Sequence, residues 1–70
     1  MKFSIGDKVS LIKSPPYLKT ADPMPMLRPP DLVSIDEIGE VISIEAMESV
    51  SVRFRRGHFL VLNENLKLIN

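Results

Sequence analysis

The chain has seventy residues, with nine basic side chains balanced by nine acidic ones and no cysteine. A chain this short buries only about 60 % of the surface its unfolded form exposes, and without cysteine neither disulfides nor thiolate-held metal reinforces its core. Zero net charge argues against a global field for nucleic acid or anionic lipid. The longest apolar run, Phe59 to Leu62, is too short for a membrane span or a signal-peptide core.

In chain order, Ile5-Gly6-Asp7 is a turn signal and leads into Lys8-Val9-Ser10-Leu11-Ile12. Alternation of Val9 and Leu11 with Lys8 and Ser10 has the period of a half-buried strand. Residues 14–31 then hold all six prolines, at positions 15, 16, 23, 25, 29 and 30. Each fixes its own φ, removes a donor and restricts the residue before it, which excludes a regular helix or central strand. The segment also carries Tyr17, Leu18, Met24, Met26 and Leu27 and has no glycine. A loop so long, stiff and apolar is expected to be an ordered binding loop, with the remaining chain as its scaffold.

Leu32 to Ile35 is expected to form a short strand and Asp36 to Gly39 a turn. Glu40 to Ile44 is β-branched with apolar residues on both faces, which places it at a bend or bulge. Val50 to Arg55 is the clearest strand, with Val50, Val52 and Phe54 inward and Ser51, Arg53 and Arg55 outward. Arg56-Gly57 is expected to make a tight hairpin with Gly57 left-handed. His58 to Leu62 returns. A two-residue loop pairs Phe59 with Phe54 and Val61 with Val52, whereas a three-residue loop turns Leu60 and Leu62 inward, and both registers are open. Asn63 to Asn65 is a turn or single 3-10 turn, and Leu66 to Ile69 a last strand able to pair with the first. The resulting expectation is one all-β domain over residues 1–70, a small SH3-like barrel of five or six short strands bearing the proline loop.

Charge is locally uneven. Asp36, Glu37, Glu40, Glu45 and Glu48 form an acidic stretch, and Arg53, Arg55, Arg56 and His58 a basic one. Complementary cross-strand pairs or an oriented docking surface both account for this. Catalysis is not expected: His58 is the sole histidine and has no serine or acid at a diagnostic spacing. The acids lack calcium-loop spacing, and three scattered glycines build no phosphate loop. No cofactor or metal is expected. A nucleic-acid-binding barrel using Arg53, Arg55, Arg56 and Phe59 is a rival reading, opposed by the neutral charge and few aromatics. Protein binding suits the proline segment better, with adaptable Met24 and Met26 and with Tyr17, Lys19 and Arg28 as polar anchors.

The string Pro15-Pro16-Tyr17-Leu18-Lys19-Thr20-Ala21-Asp22-Pro23-Met24-Pro25-Met26-Leu27-Arg28-Pro29-Pro30 resembles the signature of the SipA family, small cyanobacterial proteins that interact with the sensor histidine kinase NblS. The likeness extends through Asp36 to Val41, Val52-Arg53-Phe54, Gly57 and Phe59-Leu60. Glu45 to Ser49 departs from it, lacking the family's Gly-rich aromatic loop. The resemblance implies an SH3-like, non-enzymatic adaptor that modulates a histidine kinase, and with it a response regulator, in light and nutrient stress signalling. Its expected partner-binding residues are Pro15, Pro16, Tyr17, Leu18, Lys19, Asp22, Met24, Met26, Leu27, Arg28, Arg53, Arg55 and Arg56, and its expected location is the cytoplasm. A docking subunit of a photosynthetic electron-transfer complex is the further alternative.

Overall fold

Seven antiparallel strands make up one sheet in the computed structural model, which describes residues 3–45 and 48–69. They are β1 (Lys8–Leu11), β2 (Leu18–Thr20), β3 (Leu27–Arg28), β4 (Gly39–Ile44), β5 (Ser49–Phe54), β6 (Gly57–Leu62) and β7 (Leu66–Ile69), in the spatial order β3-β2-β6-β5-β4-β1-β7. The all-β class is as expected, with more strands than the five or six anticipated. No strand pairing among the described residues joins β3 to β7, so the hydrogen-bonded sheet is open at those two ends.

The sheet is nevertheless strongly curled. Seven strands laid flat would span roughly 29 Å in a single layer, whereas the molecule measures 27 × 24 × 19 Å. Curling turns one face inward, where a single cluster gathers Val9 and Leu11 of β1, Leu18 of β2, Val41 of β4, Val50, Val52 and Phe54 of β5, Phe59 and Val61 of β6 and Leu66 of β7. Phe3, ahead of β1, and Val33, in the connection before β4, close it.

Two local features produce the bend. The β4–β5 register shifts between Val41 and Ser43, a bulge at Ile42 in the strand with apolar residues on both faces. Beside it, Gly39 lets β4 press against β5: a Cβ there would sit 2.7 Å from both Phe54 Cε1 and Val52 Cγ1. Gly39 is therefore a strand residue, and the expected turn lies earlier, where the Glu37 amide donates to the Ser34 carbonyl at 3.0 Å. Leu32 to Ile35 is not a strand. Pro30–Leu32 is a 3-10 turn, and the connection is tied to β1 by buried Ser10, whose Oγ lies 3.0 Å from the Ile35 carbonyl and 3.1 Å from that of Glu37.

The β5–β6 hairpin settles the open register. Its two-residue loop is Arg55-Arg56, and Phe54 pairs with Gly57, Val52 with Phe59 and Val50 with Val61. Phe59 and Val61 thus face inward, as a two-residue loop requires, but each pairs two residues further from the loop than expected. Gly57 follows the turn instead of forming it, with φ of +144°, a region only glycine occupies without strain. Ser51, on the outward row, is nonetheless buried between its neighbours Ser43 and Leu60. Asn63–Asn65 is the expected 3-10 turn, and β7 pairs with β1 from Lys8↔Ile69 to Leu11↔Leu66. Of the expected loop Glu45 to Ser49, Ala46 and Met47 lie outside the described residues.

Candidate docking surface

The proline segment is a hairpin at one end of the sheet. Prolines exclude ladder pairing only where they stand, and the windows between them are free to pair. Tyr17 to Asp22 contains no proline, and its middle becomes β2, flanked by β3 and β6. Leu27–Arg28, between Pro25 and Pro29, becomes the edge strand β3, where proline neighbours blunt further pairing. Leu18 pairs with Arg28 and Lys19 with Leu27. The tip is clamped by Thr20: the Thr20 amide donates to the Met26 carbonyl at 2.9 Å, and the Met26 amide donates to Thr20 Oγ1 at 2.8 Å. Where a loop is expected, the segment forms a β-hairpin.

Alternation along β2 separates what the hairpin keeps from what it shows. Leu18 is 2 % exposed and packs in the core, so it leaves the set of partner-binding candidates. Tyr17, Met24, Met26 and Leu27 are 52, 84, 58 and 65 % exposed. Pro16, Lys19, Asp22 and Arg28 are exposed as well, and Pro15 is half-buried. So many large apolar groups in one short hairpin form the kind of surface that marks an interaction site.

Two grooves flank β2. The first runs between Pro15, Pro16 and Tyr17 on one side and Leu60, Val61 and Leu62 on the other, with Lys19, Ser49 and Asn65 at its margins. The second brings Asp22, Met26 and Arg28 of the hairpin against Arg56, His58 and Phe59. Leu60, Leu62 and Asn65 had not been anticipated as site residues. Leu62 is 49 % exposed although it ends the most apolar run of the chain, and its parity opposite to buried Phe59 and Val61 is the signal that would have found it.

The arginines do not form one patch. Arg53 lies across from Glu40 and donates to Glu40 Oε1 at 2.8 Å, and Lys8 Nζ reaches the same oxygen at 3.2 Å. The hydrogen bond from Lys8 and the charge of Lys8, followed by the charge and hydrogen bond of Arg53, hold the Glu40 carboxyl below its ordinary range, against an opposing effect of burial that outweighs the charge of Arg53 alone. Complementary cross-strand charge is therefore the right account of Glu40 and Arg53. The Arg55 amide donates to Glu37 Oε2 at 2.8 Å. Only Arg56 belongs to the second groove, with Arg28. This division removes the continuous basic stripe that a nucleic-acid surface would need. Among the described residues no group of three or more His, Cys, Asp or Glu side chains is placed to hold a metal ion, and no helix is long and apolar enough to cross a membrane.

Comparison with known proteins corrects the family. The model of the family described as Protein CHLORORESPIRATORY REDUCTION 42-like matches residues 5–66. No curated protein and no solved structure matches the chain. The SipA resemblance is overturned by that match, and with it fall the sensor histidine kinase and response regulator as partners and two-component stress signalling as the role. With the match running from the first turn to the start of β7, the chain belongs to the CRR42-like family.

Proposed function

We propose that the chain is a non-enzymatic docking protein of a photosynthetic or chlororespiratory electron-transfer complex, which it contacts through the proline hairpin and the two grooves beside it. The family match over residues 5–66 is the observation that carries this reading. The chain has no cysteine thiolate with which to hold an iron–sulfur cluster, so its contribution to electron transfer is attributed to binding other proteins. The exposed Tyr17, Met26 and Leu27 supply apolar contact on a hairpin already clamped by Thr20, which limits the ordering entropy lost on docking. Such a protein acts from the cytoplasm, where a chain without disulfides is at no disadvantage.

The test is affinity capture with the tagged chain from detergent-solubilised photosynthetic membranes and from the soluble extract. Co-purification of electron-transfer complex subunits, lost when Tyr17, Met26 and Leu27 are all replaced by alanine, is the expected result. Capture that survives the triple replacement, or that returns no subunit of such a complex, overturns the reading.

A further inference from the structure

The first groove lies where β2 and β6 part. Their pairing runs through Thr20↔Phe59 to Lys19↔Leu60 and stops, although β6 continues to Leu62. In an antiparallel ladder alternate residues turn both backbone groups to the same neighbour. The Ala21 amide donates to the His58 carbonyl at 3.0 Å, so His58 faces β2, and two and four residues on, Leu60 and Leu62 do so too. Leu60 meets Lys19. The residue opposite Leu62 would be Tyr17, but the prolines before it have led the chain away. The Leu62 amide therefore faces a groove of about 360 Å³ instead of a strand, while the Leu62 carbonyl, at the N-cap of the 3-10 turn Asn63–Asn65, serves that turn.

Side chains add two further requirements. Leu18 and Val61 line the groove, while Tyr17, Lys19 and Leu62 lie on the outward row at its rim. At the margin, Asn65 Oδ1 is buried without a hydrogen-bond partner. Charge is one-sided: Lys19 at this groove and Arg28 and Arg56 at the next are accompanied by a single carboxylate, Asp22. Both ion pairs found among the described residues end on Glu40, away from these grooves.

We propose that this groove receives an extended, acidic segment of a partner protein, which adds a short strand beside the end of β6. Its residue opposite Leu62 accepts a backbone hydrogen bond from the Leu62 amide. Its neighbours turn apolar side chains toward Leu18 and Val61, and its outward residues carry carboxylates toward Lys19. The proposal rests on the docking reading for the existence of a partner and names the chemistry that partner presents.

The test uses the isotope-labelled full chain and short capped peptides, so its outcome is independent of the capture experiment. A peptide alternating valine with glutamate should shift the amides of Tyr17, Lys19, Leu60 and Leu62 saturably, and its valine–lysine counterpart and a thymidine oligonucleotide should bind far more weakly. Leu62→Pro removes the groove-facing donor together with the exposed Leu62 side chain, and Leu62 already has φ of −66° with its amide turned away from β5; Leu62→Ala, which keeps the donor, isolates the side-chain share. The proline variant should fold and bind the acidic peptide about tenfold more weakly, since the partner carbonyl is left unsatisfied. Lys19→Glu should reverse the preference toward the lysine peptide, independently of how Leu62→Pro behaves. Equal binding of all three probes, shifts confined to other residues, no saturable shift from the acidic peptide, or unchanged affinity in a folded Leu62→Pro would overturn the proposal.

Discussion

Replacing Gly39 by alanine tests the account of how the sheet bends. The new methyl carbon would stand 2.7 Å from Phe54 Cε1 and from Val52 Cγ1, and 2.8 Å from Phe54 Cδ1. Carbon atoms rest at about 3.5–4.0 Å, so either β4 or two side chains must retreat by roughly 1 Å. Neither side chain has room, with Phe54 4 % and Val52 0 % exposed and β5 paired on both sides. Overpacking of this kind costs about 1–3 kcal/mol, and two blocked neighbours put the value near the top, at about 3 kcal/mol. A chain of this length has roughly 4–10 kcal/mol in total, so the midpoint of thermal unfolding should fall by about 12–24 °C. Urea unfolding followed by circular dichroism measures the loss, with an unchanged slope showing that the two states are the same. Combining the change with Phe54→Leu, which removes the ring, should give a loss at least about 1 kcal/mol smaller than the sum of the two singles. A loss under about 0.5 kcal/mol for Gly39→Ala, or strict additivity, would refute the close approach as the reason for glycine.

Three further outcomes follow from the same geometry. Leu18→Ala should cost about 2–5 kcal/mol as a core truncation, read by denaturant unfolding. The Tyr17, Met26 and Leu27 triple alanine variant should lose under about 1 kcal/mol in that assay while abolishing capture of the partner complex. Glu40 has a depressed carboxyl, so its contribution is present above the ordinary carboxylate value of 4.5 and is lost as pH falls below it. Glu40→Gln should therefore flatten the acid limb of the stability profile there, and an acid limb identical to that of the unsubstituted chain would show that Glu40 is not linked to folding.

The strands that sequence reads well are those whose pattern matches their burial. Val50, Val52 and Phe54 alternate with more polar residues and all three are inside. The bulge at Ile42 was legible for the opposite reason, since a strand apolar on both faces has to change faces. Hairpin register was not legible, because Phe59-Leu60-Val61-Leu62 is apolar at every position and parity must come from the turn. Leu32 to Ile35 misled by composition: Pro29 and Pro30 start a 3-10 turn, and the backbone beyond serves as acceptor for buried Ser10. The candidate site was found in outline through the hairpin's exposed apolar residues. Its other wall, Leu60 to Leu62, belongs to a strand distant in sequence and becomes a wall only because β2 leaves β6 early.

The departure of β2 also shows what the prolines of the sixteen-residue string do. Pro15 and Pro16 end the pairing, Pro23 and Pro25 shape the tip, and Pro29 and Pro30 start the following turn. Every proline therefore has a place in the hairpin or the turn after it that no partner need supply. Leu18, inside the same string, is core. A motif whose residues are largely accounted for by backbone geometry and burial specifies a scaffold, and scaffolds are shared among unrelated functions. Identity of the partner must then reside in the side chains the scaffold leaves outside: Tyr17, Lys19, Met26, Leu27 and Arg28, together with Leu62 and Arg56 from β6 and its turn. Replacing these by alanine should abolish capture without loss of fold, whereas replacing the prolines and Leu18 by alanine should lower stability and leave the captured partner the same.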